Sequence, residues 1–407
     1  MISLKLRDRS AYVRLIGVLF LVFAASGLTV PLLSNYIRVL GADTSQIGLV
    51  FAVYQTASLA SQYWWGQRSD RLGRRKPLVM IGTAGLALAF LGSAAAPNYQ
   101  VLYITRILEG LAFAAYSTGS LALIGDLLEN QQQRGRMMGF YRMFGSLAFA
   151  GTALAGGWLA DSFGLRIPVA LSAGCFALAC VLVLSIRETP TTPVTPSTTI
   201  IGDIPDDPPT NWRILGPFLG LTFAWFMGMG SVVSLWPVFM NGLGYSQTQI
   251  SGLWALAAAG EVLWLFVAGV LADRIGRKWV IVTGVAGMAC IYTAYTFAPS
   301  FMWFLPIQII RSFTYSCFET PALLYATELG LRTQRGRLAG LYYSASGIGG
   351  IAGSALGGAA AQAFGMAPMF RATTLILLLA ALAAAIVMPG KIAAPLLNRQ
   401  EAKSPGM

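Results

Sequence analysis

Runs of about twenty mainly apolar residues recur along the whole 407-residue chain, and this recurrence constrains the fold more than any other feature. A helix needs about 20 such residues to cross the hydrocarbon of a bilayer. Only helices and closed barrels satisfy their backbone hydrogen bonds there. The runs predict spans at 12–36, 45–65, 77–96, 99–124, 137–160, 166–186, 214–240, 249–271, 279–298, 302–326, 338–362 and 367–389. The chain therefore reads as an all-α membrane protein with twelve transmembrane helices. Charged residues make up only 11%, against about 25% in a soluble domain, so most of the surface cannot face water. The start, with Lys5, Arg7 and Arg9 before an apolar run, looks like a signal peptide. The run is too long for one and many like it follow, so it reads as an uncleaved first span.

One segment has the opposite character. Residues 187–213 are rich in proline, threonine and aspartate and cannot bury a core. They divide the chain into an N-terminal six-helix bundle (1–186), a linker (187–213), a C-terminal six-helix bundle (214–390) and a tail (391–407). The 28 Lys and Arg sort sharply around this plan. Those in the N-terminus, the loops after even-numbered spans, the linker and the tail number 22. The other side has Arg38, Arg166 and Arg371, and Arg106, Arg142 and Arg311 fall inside spans. Positive charge stays on the cytoplasmic side, so a cell-membrane protein with both termini cytoplasmic is expected. The net charge of +12 reports orientation and not nucleic-acid binding. Histidine is absent and Cys175, Cys180, Cys290 and Cys317 form no CxxC pair, so no metal site and no cofactor is expected.

The halves resemble each other. Pro31 and Asn35 match Pro237 and Asn241 at an offset of 206 residues, and Gly66, Asp70, Gly73 and Arg74 match Gly269, Asp273, Gly276 and Arg277 at 203. Arg106 matches Arg311 at 205. The Arg134-Gly135-Arg136 and Gly156-Gly157 stretches match Arg335-Gly336-Arg337 and Gly357-Gly358 at 201. An ordered series across six helices implies duplication of a six-helix unit.

The segments Gly66-Gln67-Arg68-Ser69-Asp70-Arg71-Leu72-Gly73-Arg74 and Gly269-Val270-Leu271-Ala272-Asp273-Arg274-Ile275-Gly276-Arg277 each link two antiparallel spans. Gly73 and Gly276 suit a sharp reversal. Both segments resemble the signature loop of the major facilitator superfamily, G-x-L-a-D-r-x-G-r-r. The first copy departs from it with Arg68 where leucine is usual. The span-four pattern Arg106-x-x-x-Gly110 adds to the resemblance, which covers nearly the whole chain. It implies two bundles related about the membrane normal, with the loops acting as a cytoplasmic gate. The gate would draw on an acidic residue at the end of span four, Asp126, and on its repeat partner Glu328. The plainer alternative is that these charges only anchor helix ends. Drug–proton antiporters of the superfamily carry G-P-x-x-G-G in span five. Here Thr152-Ala153-Leu154-Ala155-Gly156-Gly157 keeps the glycine pair and lacks the Gly-Pro, which weakens that assignment.

Ionisable groups within spans are the best functional evidence, since each costs about 2.5–3.5 kcal/mol at mid-helix. Arg106 and Glu109 sit i,i+3 on span four and suit an ion pair. Arg311, Tyr315 and Glu319 share a face of span ten. Glu261 lies mid-way through span eight, where the first half has Ser58. Without histidine, proton coupling must use carboxylates or water. Glu261 is the first candidate, then Glu109, with Glu319 near the cytoplasmic end. Arg106 and Arg311 could instead bind an anion, or the pairs could be structural. Trp254 and Tyr315 are candidate pocket aromatics. There is no Walker-type G-x-x-x-x-G-K-[ST] loop. The chain therefore reads as a non-enzymatic, monomeric secondary transporter, moving a small organic solute by proton-coupled efflux. The alternatives are uptake of a sugar or organic anion, and a non-transporting sensor or lipid-handling protein.

Overall fold

The computed structural model describes residues 6–72, 74–128, 134–186, 212–329 and 334–389, and among them all regular structure is helical. The first half contains α1 (Leu6–Thr29), α2 (Leu33–Val39), α3 (Thr44–Leu72), α4 (Lys76–Ala94), α5 (Tyr99–Leu128), α6 (Arg134–Phe163) and α7 (Arg166–Leu184). The second contains α8 (Trp212–Gly242), α9 (Gln247–Ile275), α10 (Arg277–Tyr295), α11 (Phe301–Glu328), α12 (Arg335–Phe364) and α13 (Met366–Val387). Twelve of the thirteen are long, and α2 continues the first span beyond a break.

Nine of the long helices are apolar enough to cross a membrane by length and composition alone. The other three, α3, α11 and α12, match them in length at 29, 28 and 30 residues but carry more polar residues and glycine. They also pack on other helices: α12 on α3 and α8, and α11 on α9 and α10. Helices whose faces meet other helices can carry polarity that lipid would not tolerate.

Two expectations need correction. The single run 12–36 is interrupted between Thr29 and Leu33. Pro31 has no N–H to donate and its ring crowds the preceding turn. The segments read as loops after spans two and eight are mostly helix. α3 runs to Leu72 and α9 to Ile275, because a helix leaving the hydrocarbon keeps its backbone bonds into the headgroup region. The reversal is confined to a few residues around Gly276, whose φ of 92° lies where a side chain is strained. Gly73 lies outside the described residues, as do 187–211 of the linker. Its last two residues, Trp212 and Arg213, begin α8.

Within the first half α1 packs on α6 and α7, and α4 on α5 and α7. Within the second, α8 packs on α12 and α13, and α10 on α11 and α13. The halves meet mainly through two repeat-related pairs, α3 with α12 and α6 with α9. Hydrogen bonds between the halves, among the described residues, join Asn35, Thr44, Gln55 and Asp161 to Pro237, Gln247, Thr248, Ser354 and Gln362. The deepest is Gln55 to Ser354 at 2.8 Å. All the others lie at the end of the molecule away from the termini. These bonds hold that end closed.

Candidate functional site

A cavity of about 340 Å³ lies between the halves. Trp254, Ala257, Ala258 and Glu261 reach it from one face of α9, and Arg311 and Tyr315 from one face of α11. Their spacings of three, four and seven residues are the helical repeat. Phe23, Val30, Ser146 and Phe149 complete the wall from the first half, and Met229 and Val233 from α8. Four residues proposed from sequence therefore converge here.

Arg311 is only 6% exposed, and its guanidinium stacks over the Trp254 ring at 5.1 Å. Among the described residues it makes no ion pair and no side-chain hydrogen bond. Glu261, on the facing helix, lies within its electrostatic reach without closing an ion pair. The cavity thus holds one cation and one carboxylate, neither fixed by a salt bridge, between aromatic walls. Small-molecule pockets are commonly built this way, with apolar and aromatic walls and a few polar groups that set orientation.

Glu319 sits two turns beyond Arg311 on α11. Its carboxylate accepts a hydrogen bond from Trp225 Nε1 at 3.4 Å. Trp225 stacks on Phe318 at 4.4 Å and lies tilted against Tyr315 at 6.4 Å. Tyr315 is within electrostatic reach of both Glu261 and Glu319. It therefore links the cavity to the terminal half of α11.

Arg106 and Glu109 stand apart from that cavity. They form an ion pair at 2.5 Å, buried to 3% and 9% exposure. The guanidinium lies over Phe51 and Tyr54 of α3, at 5.4 and 5.3 Å. Gly110 lets this contact form, because a Cβ there would meet Tyr54 O at 2.6 Å and Ser58 N at 2.9 Å. Removing one partner of a buried pair leaves an uncompensated charge and costs about 3 kcal/mol or more. Glu109→Gln should therefore lower thermal stability in detergent by about that amount, and the double variant Arg106→Met with Glu109→Leu should recover most of it. A double-mutant cycle with additive losses would show that the two charges are not coupled.

The structure also corrects the repeat register. Gly82 packs on Tyr116 as Gly284 packs on Phe318, and Gly85 on Ala112 as Gly287 on Thr314. Every one of these pairs is related by 202 residues (82 to 284, 116 to 318). Arg311 therefore corresponds to Glu109, and Arg106 to Gln308. The match of Arg106 with Arg311 at 205 is three residues out, nearly one helical turn, so the two arginines are not equivalent.

The expected gate residues show the same register. Arg75 pairs with Asp126 at 3.5 Å, and Arg277 pairs with Glu328, each across 51 residues. The first linking segment has one residue more than the second. Arg75, not Arg74, thus matches Arg277, and Arg74 is exposed. Both pairs join helices of the same half, α4 to α5 and α10 to α11, and do not bridge the halves in this conformation. Asp273 is exposed. A Cβ added at Gly66 would meet nothing within 4 Å, and one at Gly269 would face Thr320 at 3.7 Å. The side chain of Asp70 lies outside the described residues.

Sequence reasoning missed the first-half wall of Phe23, Ser146 and Phe149, which carry no charge and no motif. It also missed Asp161 and Gln362, although an offset of 201 relates them.

Two helical bundles that meet across a cavity holding one buried cation and one carboxylate have the build of a membrane transporter. The chain belongs to the major facilitator superfamily, whose family model matches residues 15–264 and 218–405. It is similar to multidrug resistance protein 2 of Bacillus subtilis (strain 168), with 23% identity covering 86% of this chain and 88% of that protein. It is also similar to sugar efflux transporter A of Escherichia coli (strain K12), with 24% identity covering 88% and 91%. Among solved structures it resembles a mutant form of the nucleoside transporter NupG, at a TM-score of 0.82 and 13% identity, covering 93% of this chain and all 100% of that one.

Proposed function

We propose that this protein is a secondary active transporter that exports a small organic solute by alternating access, in exchange for protons carried by Glu261. The observation that carries the reading is the pairing of Glu261 and Arg311 across one cavity with no salt bridge fixing either. A charge in such a place needs a mobile partner: a proton on Glu261, or a polar group of the solute at Arg311. Trp254, Tyr315, Phe23 and Phe149 would pack against its apolar body. Two relatives whose names denote drug resistance and sugar efflux support the outward direction.

The charge bias of 22 against 3 supports a cell-membrane orientation with both termini cytoplasmic. In that orientation the closed end is extracellular. On this reading 1–186 and 214–390 are the moving bundles, 187–213 is the cytoplasmic linker, and 391–407 is a cytoplasmic tail. The working unit is a monomer whose partners are solute, proton and lipid. The pairs Arg75–Asp126 and Arg277–Glu328 brace the helix ends that approach one another when the terminal side closes.

Flux into proteoliposomes tests the proposal. With an acid lumen and inside-out protein, a panel of uncharged and zwitterionic ring-bearing solutes should include one that accumulates in the lumen. A protonophore should abolish that accumulation. Accumulation on the alkaline side would overturn the proposal in favour of uptake by symport. Saturable binding of a solute without flux would overturn it in favour of a sensor.

A further inference from the structure

At the closed end, each half caps a helix of the other. The carboxylate of Asp161, near the end of α6, accepts the backbone N–H groups of Gln247 and Thr248 at 2.9 and 2.8 Å. It also accepts the Thr248 hydroxyl at 2.6 Å. Gln247 and Thr248 open α9, where the first N–H groups have no partner within the helix. Ser246 and Gln249 form a capping box that satisfies the N–H of Ser246 and that of Gln249. Ile250 N–H bonds Ser246 O. The two remaining donors are the ones Asp161 takes, and negative charge is favoured at that helix end.

The repeat-related place is built the same way. The carboxamide oxygen of Gln362, near the end of α12, accepts the Thr44 hydroxyl at 2.7 Å and the Thr44 N–H at 3.3 Å. Thr44 opens α3. Offsets of 201 (161 to 362) and 203 (44 to 247) relate the two contacts.

The glycine pairs divide their work accordingly. Gly156 and Gly357 lie against Leu28 and Ser231 of their own halves. Gly157 and Gly358 face the other half: a Cβ would come within 2.8 Å of Thr248 Cα and of Thr44 O, respectively. Asn35 adds bonds to Gln247 Oε1 at 2.9 Å and Pro237 O at 3.2 Å.

We propose that these crossed helix caps are the latch that holds this end shut, and that Asp161 sets its strength. Opening this end must break every one of these bonds. The two caps are unequal. A carboxylate makes stronger hydrogen bonds than a carboxamide, so the α6–α9 cap dominates and the α3–α12 cap assists. Asp161 touches neither the cavity nor the candidate proton site. It acts on the balance between the two open states and not on the solute.

The full-length chain in membrane vesicles tests this. Ser146→Cys places a reporter in the cavity, and Ser162→Cys identifies the face that carries Asp161. Reaction of the reporter thiol at position 146 with an impermeant reagent added on that face measures opening, read against the chain with only its native cysteines. Asp161→Asn should raise the rate about tenfold or more, the population shift expected when hydrogen bonds to a charge are weakened. Gln362→Ala should raise it less, and Asp161→Glu should stay near the parent. Gly358→Val should prop the same end open by bulk. If Asp161→Asn fails to fold, Thr248→Val, which removes only the hydroxyl donor, should give a smaller rise. Rates equal to the parent for folded Asp161 and Thr248 variants, beside a raised rate for Gly358→Val, would overturn the latch. None of these readouts uses transport, so they stand whether or not the solute and coupling assignments hold.

Discussion

Glu261→Gln should abolish accumulation driven by a pH gradient while leaving solute binding and solute exchange in place. Glu261 faces the cavity from the middle of α9, and Ser58 occupies the equivalent place in the first half. The repeat therefore does not require a carboxylate there, and a charge at this depth costs free energy that only function recovers. Arg311 is the cation in reach, yet it is held by Trp254 and not by an ion pair. Glu261 can therefore exchange its charge for a proton without dismantling a structural bridge. Glutamine keeps the shape and fixes the neutral state. One charge moved across 100 mV supplies about 2.3 kcal/mol, about a 50-fold concentration ratio. That ratio should fall to about one in the variant, while counterflow of labelled against unlabelled solute continues. A variant that still concentrates solute would remove Glu261 from coupling. Glu109 would then be the next carboxylate to test.

The spans and the duplication were legible because they rest on long-range composition and on charged or glycine markers, which survive without knowledge of contacts. The convergence of Trp254, Glu261, Arg311 and Tyr315 was legible for a related reason. Ionisable and aromatic residues at helical spacing in an apolar run must share a face. Register was not legible. A slip of three residues is nearly a full turn, so Arg106 and Arg311 looked equivalent by type and depth. The glycine contacts of α4 and α10 and the pairs Arg75–Asp126 and Arg277–Glu328 separate 205 from 202. The break at Pro31 was hidden because the apolar run continues through it, and its counterpart Pro237 lies within an unbroken α8. The latch was hidden because one of its caps is an exposed aspartate and the other a glutamine. Neither is unusual until the helix ends they cap are seen to belong to the other half.

Gly353→Leu should leave little folded protein, because the interface of α8 with α12 has no room for a side chain. Gly349, Gly353 and Gly357 recur every fourth residue and form one face of α12. Across from them on α8 lie Phe223, Met227 and Ser231, with the same spacing. A Cβ at Gly353 would overlap Met227 O outright, one at Gly349 would lie 2.5 Å from Phe223 O, and one at Gly357 2.6 Å from Ser231 Cβ. The obstructing atoms at the first two positions are backbone, so no rotamer change relieves the clash. Close approach also lets Ser231 Oγ donate to Gly353 O at 2.9 Å. In lipid, helices associate through such packing and hydrogen bonding and not through the hydrophobic effect. Overpacking by a single methyl typically costs about 1–3 kcal/mol, so Gly353→Ala should lower the melting temperature measurably and leucine should exceed what the bundle tolerates. Gly336 and Gly340 lie on the same helix, and a Cβ at either would meet nothing within 4 Å. Alanine there should be neutral, or stabilising by up to about 1 kcal/mol through helix propensity. Thermal unfolding and monodispersity in detergent compare the four variants directly. A Gly353→Leu protein as stable as the Gly340→Ala protein would mean that α8 and α12 do not pack through this stripe.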